Sequence, residues 1–301
     1  MDKVKLKELK CSNALAALAR KAIFCDFVNP EEVAKKGEPA FARPAHAQYS
    51  EGAMLSALSH LGGQPHLPEG FVWPEAEYGY KEKGMRPLVF MAQYDLRELS
   101  RYDLEGLLPD HGLMVIFGCG EAFGFDGEHS RIYVFDDVYS LKVTQRPADP
   151  PCEKVLETDR MEIPLHRIVV RAGWQVPHEW SSMFDTEEGD DCDADWGMSR
   201  EQLEQINDSY EELFAELAGT DGYEELEDDT TQFLGWGEFI QGDYTANRQC
   251  RLLYTQSSFC DENLKKWQLC IGDAGAIYYF IDEDDLKAGR FDQVRSYMDC
   301  Y

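Results

Sequence analysis

Residues 86–96 read RPLVFMAQYDL, an almost unbroken apolar run of the length expected for a buried strand. Similar runs follow it: GLMVIF at 112–117, RIYVF at 131–135, LKVTQ at 141–145 and RIVVRA at 167–172. Each is short, and turn residues split them, a pattern that predicts an antiparallel meander. Strands return after residue 232 as CRLLYTQ (250–256), WQLCI (267–271), AIYYFI (276–281) and QVRSYMDC (293–300), with a short helix over Asp282–Gly289 between the last two.

The two strand-rich regions echo each other. VFMAQ (89–93) overlays LLYTQ (252–256), and DHGLMVIF (110–117) overlays DAGAIYYF (273–280); both use one offset, since 256 − 93 and 275 − 112 are each 163. A glycine-rich turn precedes each copy, LGGQP at 61–65 and LGWGE at 234–238. The expectation is an α+β fold of antiparallel sheets built from two similar, duplicated units, about 55–180 and 230–301. A groove between such units is a natural binding site.

Outside the strands, residues 3–24 carry Leu6, Leu9, Leu15, Leu18, Ala22 and Ile23 at spacings that predict one or two amphipathic helices, so 1–50 is read as an N-terminal helical extension of a main domain at 51–301. The segment 29–47, with Pro30, Pro39 and Pro44, reads as an irregular connection, and LGGQPHLPEGFVWP (61–74) as turns. Residues 185–229 hold 19 acidic residues and one basic residue, Arg200. Part of this block is a helix candidate, with a capping box of Ser199 and Gln202, Leu203, Ile206, Tyr210, Leu213, Phe214 and Leu217 on one face, and Gly219 at the end. It is an acidic helical insertion.

The 301 residues carry 29 Lys+Arg against 57 Asp+Glu, a net charge of −28, which opposes attraction to nucleic acid or to an anionic membrane and favours a basic partner. The only basic cluster is Lys3, Lys5, Lys7 and Lys10. Nine cysteines with no C-x-x-C spacing argue against a zinc ribbon, a dithiol site or a disulfide framework, and for a reducing, cytoplasmic compartment. No apolar run reaches membrane-helix length, and the apolar stretch ALAALA (14–19) is too short for a secretory signal.

Gly62-Gly63-Gln64-Pro65-His66-Leu67-Pro68, Trp73-Pro74, Pro87-Leu88-Val89-Phe90-Met91-Ala92-Gln93, Leu108-Pro109 and Gly112-Leu113 together resemble the YwqG-like family of bacterial proteins. Leu234-Gly235-Trp236, Ile240-Gln241, Gly272-Asp273-Ala274-Gly275, Tyr279-Phe280-Ile281, Asp285-Leu286 and Cys300-Tyr301 resemble its C-terminal half, so the likeness covers about 55–301. Gly237 stands where that family usually has proline and Thr231 about where histidine is common, and the acidic block looks larger than usual. The resemblance implies an α+β fold with a duplicated arrangement, no established activity, and a suspected role as an immunity or interaction protein in bacterial toxin systems.

Catalytic signatures are weak. GCGEAFG (118–124) lacks the apolar helix a dinucleotide loop would open and reads as a hairpin loop. Asp191, Asp193 and Asp195 start like a calcium loop, but Trp196 sits where glycine is needed and Gln202 replaces the bidentate glutamate. Cys119, Asp126 and His129 are close in sequence only, which does not make a nucleophilic triad. The seven histidines show no metal-ligand spacing, and neither metal nor cofactor is expected. Gln93, Gln241, Gln256, Asp110 and Asp273, beside Trp73 and Trp236, are the candidate lining of a ligand or partner groove; Asp110 and Asp273 equally suit tight turns before Gly112 and Gly275. The functional expectation is a non-enzymatic interaction or immunity-type protein for a basic partner. The alternative is a small-molecule or enzymatic site in the groove between the units.

Overall fold

In the structure, a computed structural model, residues 9–11, 13–28, 58–78, 84–119, 129–148, 163–184, 196–220, 222–223, 230–243, 249–261 and 266–301 are described. The connection at 29–47, Lys3, Lys5 and Lys7, most of GCGEAFG, Asp126, the aspartates at 191, 193 and 195, and both flanks of the acidic block lie outside these residues.

The strands are β1 (Arg20–Val28), β2 (His60–Leu61), β3 (His66–Leu67), β4 (Glu75–Tyr78), β5 (Gly84–Pro87), β6 (Val89–Asp95), β7 (Leu113–Gly118), β8 (Arg131–Phe135), β9 (Lys142–Val143) and β10 (His166–Gln175), then β11 (Gln232–Leu234), β12 (Cys250–Ser257), β13 (Phe259–Asp261), β14 (Lys266–Leu269), β15 (Ala276–Asp282) and β16 (Arg295–Asp299). The helices are α1 (Leu96–Leu99), α2 (Arg200–Asp208), α3 (Tyr210–Ala218) and α4 (Glu283–Lys287). Ten strands form one antiparallel sheet in the order β16-β15-β12-β11-β1-β10-β2-β6-β7-β8. The sheet curls, so that the 3₁₀ turn Phe291–Gln293 beside one edge lies against β8 at the other.

The N-terminal segment corrects the helical expectation. Among the described residues of this segment only the 3₁₀ turn Ala14–Leu18, capped by Asn13, is helical; Arg20–Val28 is a strand at the sheet's centre. It pairs with β10 along its whole length, from Arg20 opposite Gln175 to Val28 opposite Arg167, and with β11 on its other side. Ala22, Ile23, Phe24 and Cys25 are consecutive and all buried. A strand covered on both faces loses its alternation and mimics a helix stripe over so short a run.

The inside of the curl is one core drawn from both ends of the sheet, including Met91, Tyr94, Ile116, Phe233, Tyr254 and Tyr279. Buried phenols need partners. The Tyr254 hydroxyl donates to Gln256 Oε1 at 2.5 Å, so the Tyr94 hydroxyl donates to Tyr254, also at 2.5 Å, and the pair bridges the two sides of the core. On the outer face, Trp73, Phe90, Val115 and Phe117 pack under the 63–76 loop, and Leu252, Tyr278 and Phe280 pack under Phe239. A third outer cluster joins Leu15, Leu18, Val176 and Trp236 to α2 and α3.

The acidic helical prediction holds for its cap and its buried face. Ser199 and Gln202 form the capping box, and Leu203, Ile206, Tyr210 and Leu217 are buried. The helix is broken in two at Ser209 (φ −117°), where Asn207, Asp208 and Ser209 place three weak helix formers in a row.

The strand order reads alike from either edge, and the local geometry follows it. Each hairpin at an edge carries a bulge, at Met91 in β6 and at Leu253 in β12. Phe90 lies opposite Phe117 as Leu252 lies opposite Phe280. Arg131 and Tyr133 in β8 correspond to Arg295 and Tyr297 in β16. After β2, Gly62 and Gly63 have φ of 63° and 72°; after β11, Leu234 and Gly235 have 59° and 76°. The backbone N–H of Asp95 donates to Ser59 Oγ, and that of Ser257 to Thr231 Oγ1.

Glu98 of α1 is buried beside Ser59, whose hydroxyl donates to it at 3.1 Å. Burial pushes its carboxyl up to about 7, and burial draws the nearby-strand His60 imidazole down to about 4. Charging Glu98 therefore destabilises the fold as pH rises from about 4.5 to 7, while charging His60 destabilises it as pH falls from about 6.5 to 4; each amounts to something on the order of 3 kcal/mol. The two slopes oppose each other in mid-range. Glu98→Gln is expected to raise stability by about 1 kcal/mol at pH 5 and by about 3 kcal/mol at pH 8. Urea titrations at both values check this, and an equal effect at both would show that Glu98 does not titrate in this range.

Candidate functional site

The expected groove residues do not converge. Gln93 is fully buried: its Nε2 donates to Leu58 O (2.5 Å) and contacts His66 Nδ1 (2.9 Å), while its Oε1 accepts from the His66 N–H (2.8 Å). Its partners strap the 58–67 segment to β6. Gln256 is also fully buried, on the opposite sheet face, between Tyr254, Thr231 and Ser257 O. The overlay misleads because the connection from Ser257 to Ala276 is one residue longer than its counterpart from Asp95 to Leu113. Gln93 lies opposite Val115, whose counterpart Tyr278 lies opposite Thr255, so the residue equivalent to Gln93 is Thr255. Asp110 is exposed and pairs with His111 at 2.8 Å, and Asp273 is exposed before the turn at Gly275. Trp73 donates its indole N–H to Leu88 O and meets Phe117 edge-on at 5.0 Å. Cys119 is buried, and the His129 ring bonds to Glu77 O.

Trp236 and Gln241 do come together. Both line a cavity of about 150 Å³ between the loop that leaves β10 and the loop that leaves β11. The β11 loop is positioned by a buried amide pair that sequence reading did not single out. Gln175 and Gln232 exchange bonds at 2.7 and 2.9 Å; Gln232 also donates to Leu234 O and Trp236 O, and Gln175 Oε1 accepts from the Trp236 N–H. Two glutamines buried among apolar neighbours, in GWQVP and TQFLG, were the available signal. Further along, Asp299 Oδ2 accepts from the Ile240 and Gln241 N–H groups at 2.8 Å each, Gln241 Nε2 donates to Cys300 O, and the Tyr278 hydroxyl donates to Glu238 O. Trp236 is buried, donates its indole N–H to Leu18 O, and carries the Arg20 guanidinium 3.7 Å above its ring. Burial draws that guanidinium down to about 9, so it stays charged at neutral pH.

From the β10 side the cavity receives His178, Trp180 and Ser181. Trp180 is 81% exposed and meets the His178 ring edge-on at 5.3 Å. His178 Nδ1 accepts from the Trp180 N–H at 3.3 Å, which leaves the ring proton on Nε2, 3.7 Å from Glu238 Oε1. That separation is too long for a hydrogen bond, and burial holds the imidazole below its ordinary range. Asp243 Oδ2 is fixed by Ser181 Oγ, the Ser182 N–H and Ser182 Oγ at 2.7–3.1 Å. A second, open concavity of about 650 Å³ lies over the other half, lined by Val72, Trp73, Arg131 and Tyr133 among others. Among the described residues, no three His, Cys, Asp or Glu side chains are grouped to hold a metal ion.

The fold is a mixed one, a large curled antiparallel sheet with few helices, and a cleft sits between two loops that follow central strands. The chain belongs to the family described as a domain of unknown function, DUF1963, whose model matches residues 59–300. No curated protein sequence matches it. No helix among the described residues is long and apolar enough to cross a membrane.

Proposed function

We propose that this DUF1963 protein is a non-enzymatic binding protein that engages a basic protein through the acidic face of α2 and α3. One observation carries the reading. The helix pair buries its apolar stripe against Trp236 and its neighbours, and turns Glu201, Glu204, Asp208, Glu211, Glu212 and Glu216 outward; among these Arg200 pairs with Glu204. Six carboxylates on one firmly docked surface make a field that speeds encounter with a cationic partner more than it deepens final affinity. The resemblance to YwqG-like proteins, which we infer to be the same family, points to an immunity-type inhibitor. No disulfide joins any two of the seven described cysteines, in keeping with a cytoplasmic setting.

The matching bulges, turns and hydroxyl bonds support an origin by duplication of a five-strand unit. Each copy would begin with its long strand, β1 or β10, and each long strand lies beside the other copy's second strand, β11 or β2. On this reading the acidic α2–α3 segment is an insertion after the second long strand.

The test compares tagged wild type with a variant in which the six acids become Gln or Asn. Wild type is expected to capture one stoichiometric basic protein from native lysate at about 50 mM salt and to release it at about 500 mM, where screening is nearly complete. The variant, folded by circular dichroism, is expected to associate at least about tenfold more slowly at low salt. Equal association rates, or a wild-type capture with no basic partner, would remove the reading.

A further inference from the structure

We propose that the cleft between the loops after β10 and β11 receives an arginine side chain of the basic partner, its guanidinium laid against Trp180 and drawn to the carboxylate of Asp243. This rests on the partner being basic, as argued above.

Four observations carry it. Trp180 is the first: a large, 81% exposed indole at the mouth of a cavity is the kind of residue that dominates protein interfaces. The second is charge. Among the described residues the lining holds Asp243 and no lysine or arginine, and Glu238 stands just behind His178. The third is size and rigidity. A cavity of about 150 Å³ suits one long side chain, and its walls are already fixed, by three donors on Asp243 and by the Asp299 clamp on residues 240 and 241. A preformed wall saves the ordering cost of binding. The fourth is precedent within the molecule: Arg20 already stacks its guanidinium over Trp236, which lines the same cavity. A planar guanidinium stacks on an indole while pairing with a carboxylate in two parallel bonds, a geometry the compact ammonium of Lys21, 4.7 Å over Trp174, does not share. Trp236 also belongs to the apolar cluster that seats α2 and α3, so the cleft shares a wall residue with the seat of those helices.

The experiment is ¹⁹F NMR of the full chain labelled with 5-fluorotryptophan, whose six tryptophans give six lines; the line missing in Trp180→Phe is that of Trp180. The probes are N-acetyl-arginine amide, N-acetyl-lysine amide and the neutral N-acetyl-norleucine amide. The Trp180 line is expected to shift with the arginine amide and saturate at a dissociation constant of about 1 mM, as befits so small a ligand. Asp243→Asn is expected to weaken this at least about tenfold. The six-acid helix variant is expected to retain it, since its changes are outside the cleft. An equal response to the norleucine amide, or no shift at about 50 mM arginine amide, would overturn the proposal. An equal response to the lysine amide would overturn the guanidinium assignment. If the arginine amide fails while wild type still captures a salt-sensitive partner, this inference alone falls; if it saturates while capture fails, the partner reading alone falls.

Discussion

Gly235→Ala is expected to destabilise the protein by about 4 kcal/mol. Gly235 has φ +76°, and a Cβ there would sit 2.2 Å from Gln175 Oε1 and 2.6 Å from the Ala22 side chain. The first contact is the damaging one. That oxygen accepts from the Trp236 N–H and from Gln232, so moving it leaves buried donors unmatched in addition to straining the backbone. The same shift would loosen the loop that forms one wall of the cleft. Urea unfolding measures the loss, and a change below about 1 kcal/mol would mean that the amide pair relaxes without penalty.

Gln93→Leu is expected to cost about 3–5 kcal/mol. Leucine fills a similar volume but strips Leu58 O, the His66 N–H and His66 Nδ1 of their shared partner inside the protein. Thermal unfolding should show a drop of roughly 10 °C for a domain of this size. A variant as stable as wild type would mean that the 58–67 segment is held by its other contacts, chiefly the pairing of β2 with β6 and β10.

Much of the sheet was legible in the sequence. The runs at 112–117, 131–135, 250–256 and 276–281 fall within a residue or two of β7, β8, β12 and β15, because buried antiparallel strands of this kind are short apolar stretches between turn residues. β1 was not legible, since its centre is apolar on both faces and abuts a true helical turn at Ala14–Leu18. The pairing of Gln93 with Gln256 failed for a different reason. The connection between β12 and β15 is one residue longer than that between β6 and β7, which displaces the overlay by one position, and a one-residue slip moves a side chain to the other face of the sheet. Of the candidate groove, only Trp236 and Gln241 line the cleft. Trp180, His178 and Asp243 lie in loops with no periodicity, and their approach depends on which strands become neighbours, a long-range property that spacing cannot show. The buried glutamines were legible as residues that must find partners; that the partners are other parts of the chain, Leu58, His66, Thr231 and Tyr254, was not.

The central place of β1 also sets a timetable for synthesis. Its pairing partners are β10, which ends at Gln175, and β11, which ends at Leu234. A ribosome adding roughly 5–20 residues per second therefore exposes the run Ala22–Cys25 for on the order of 10 s before its first partner emerges. During that interval an apolar strand with both edges open waits in a crowded cell, a natural target for chaperones and a natural seed for aggregation. The first strand of the sheet to be made is thus the one that waits longest for its neighbours, and slowing translation between residues 28 and 166 should lower the soluble yield more than slowing it after residue 234.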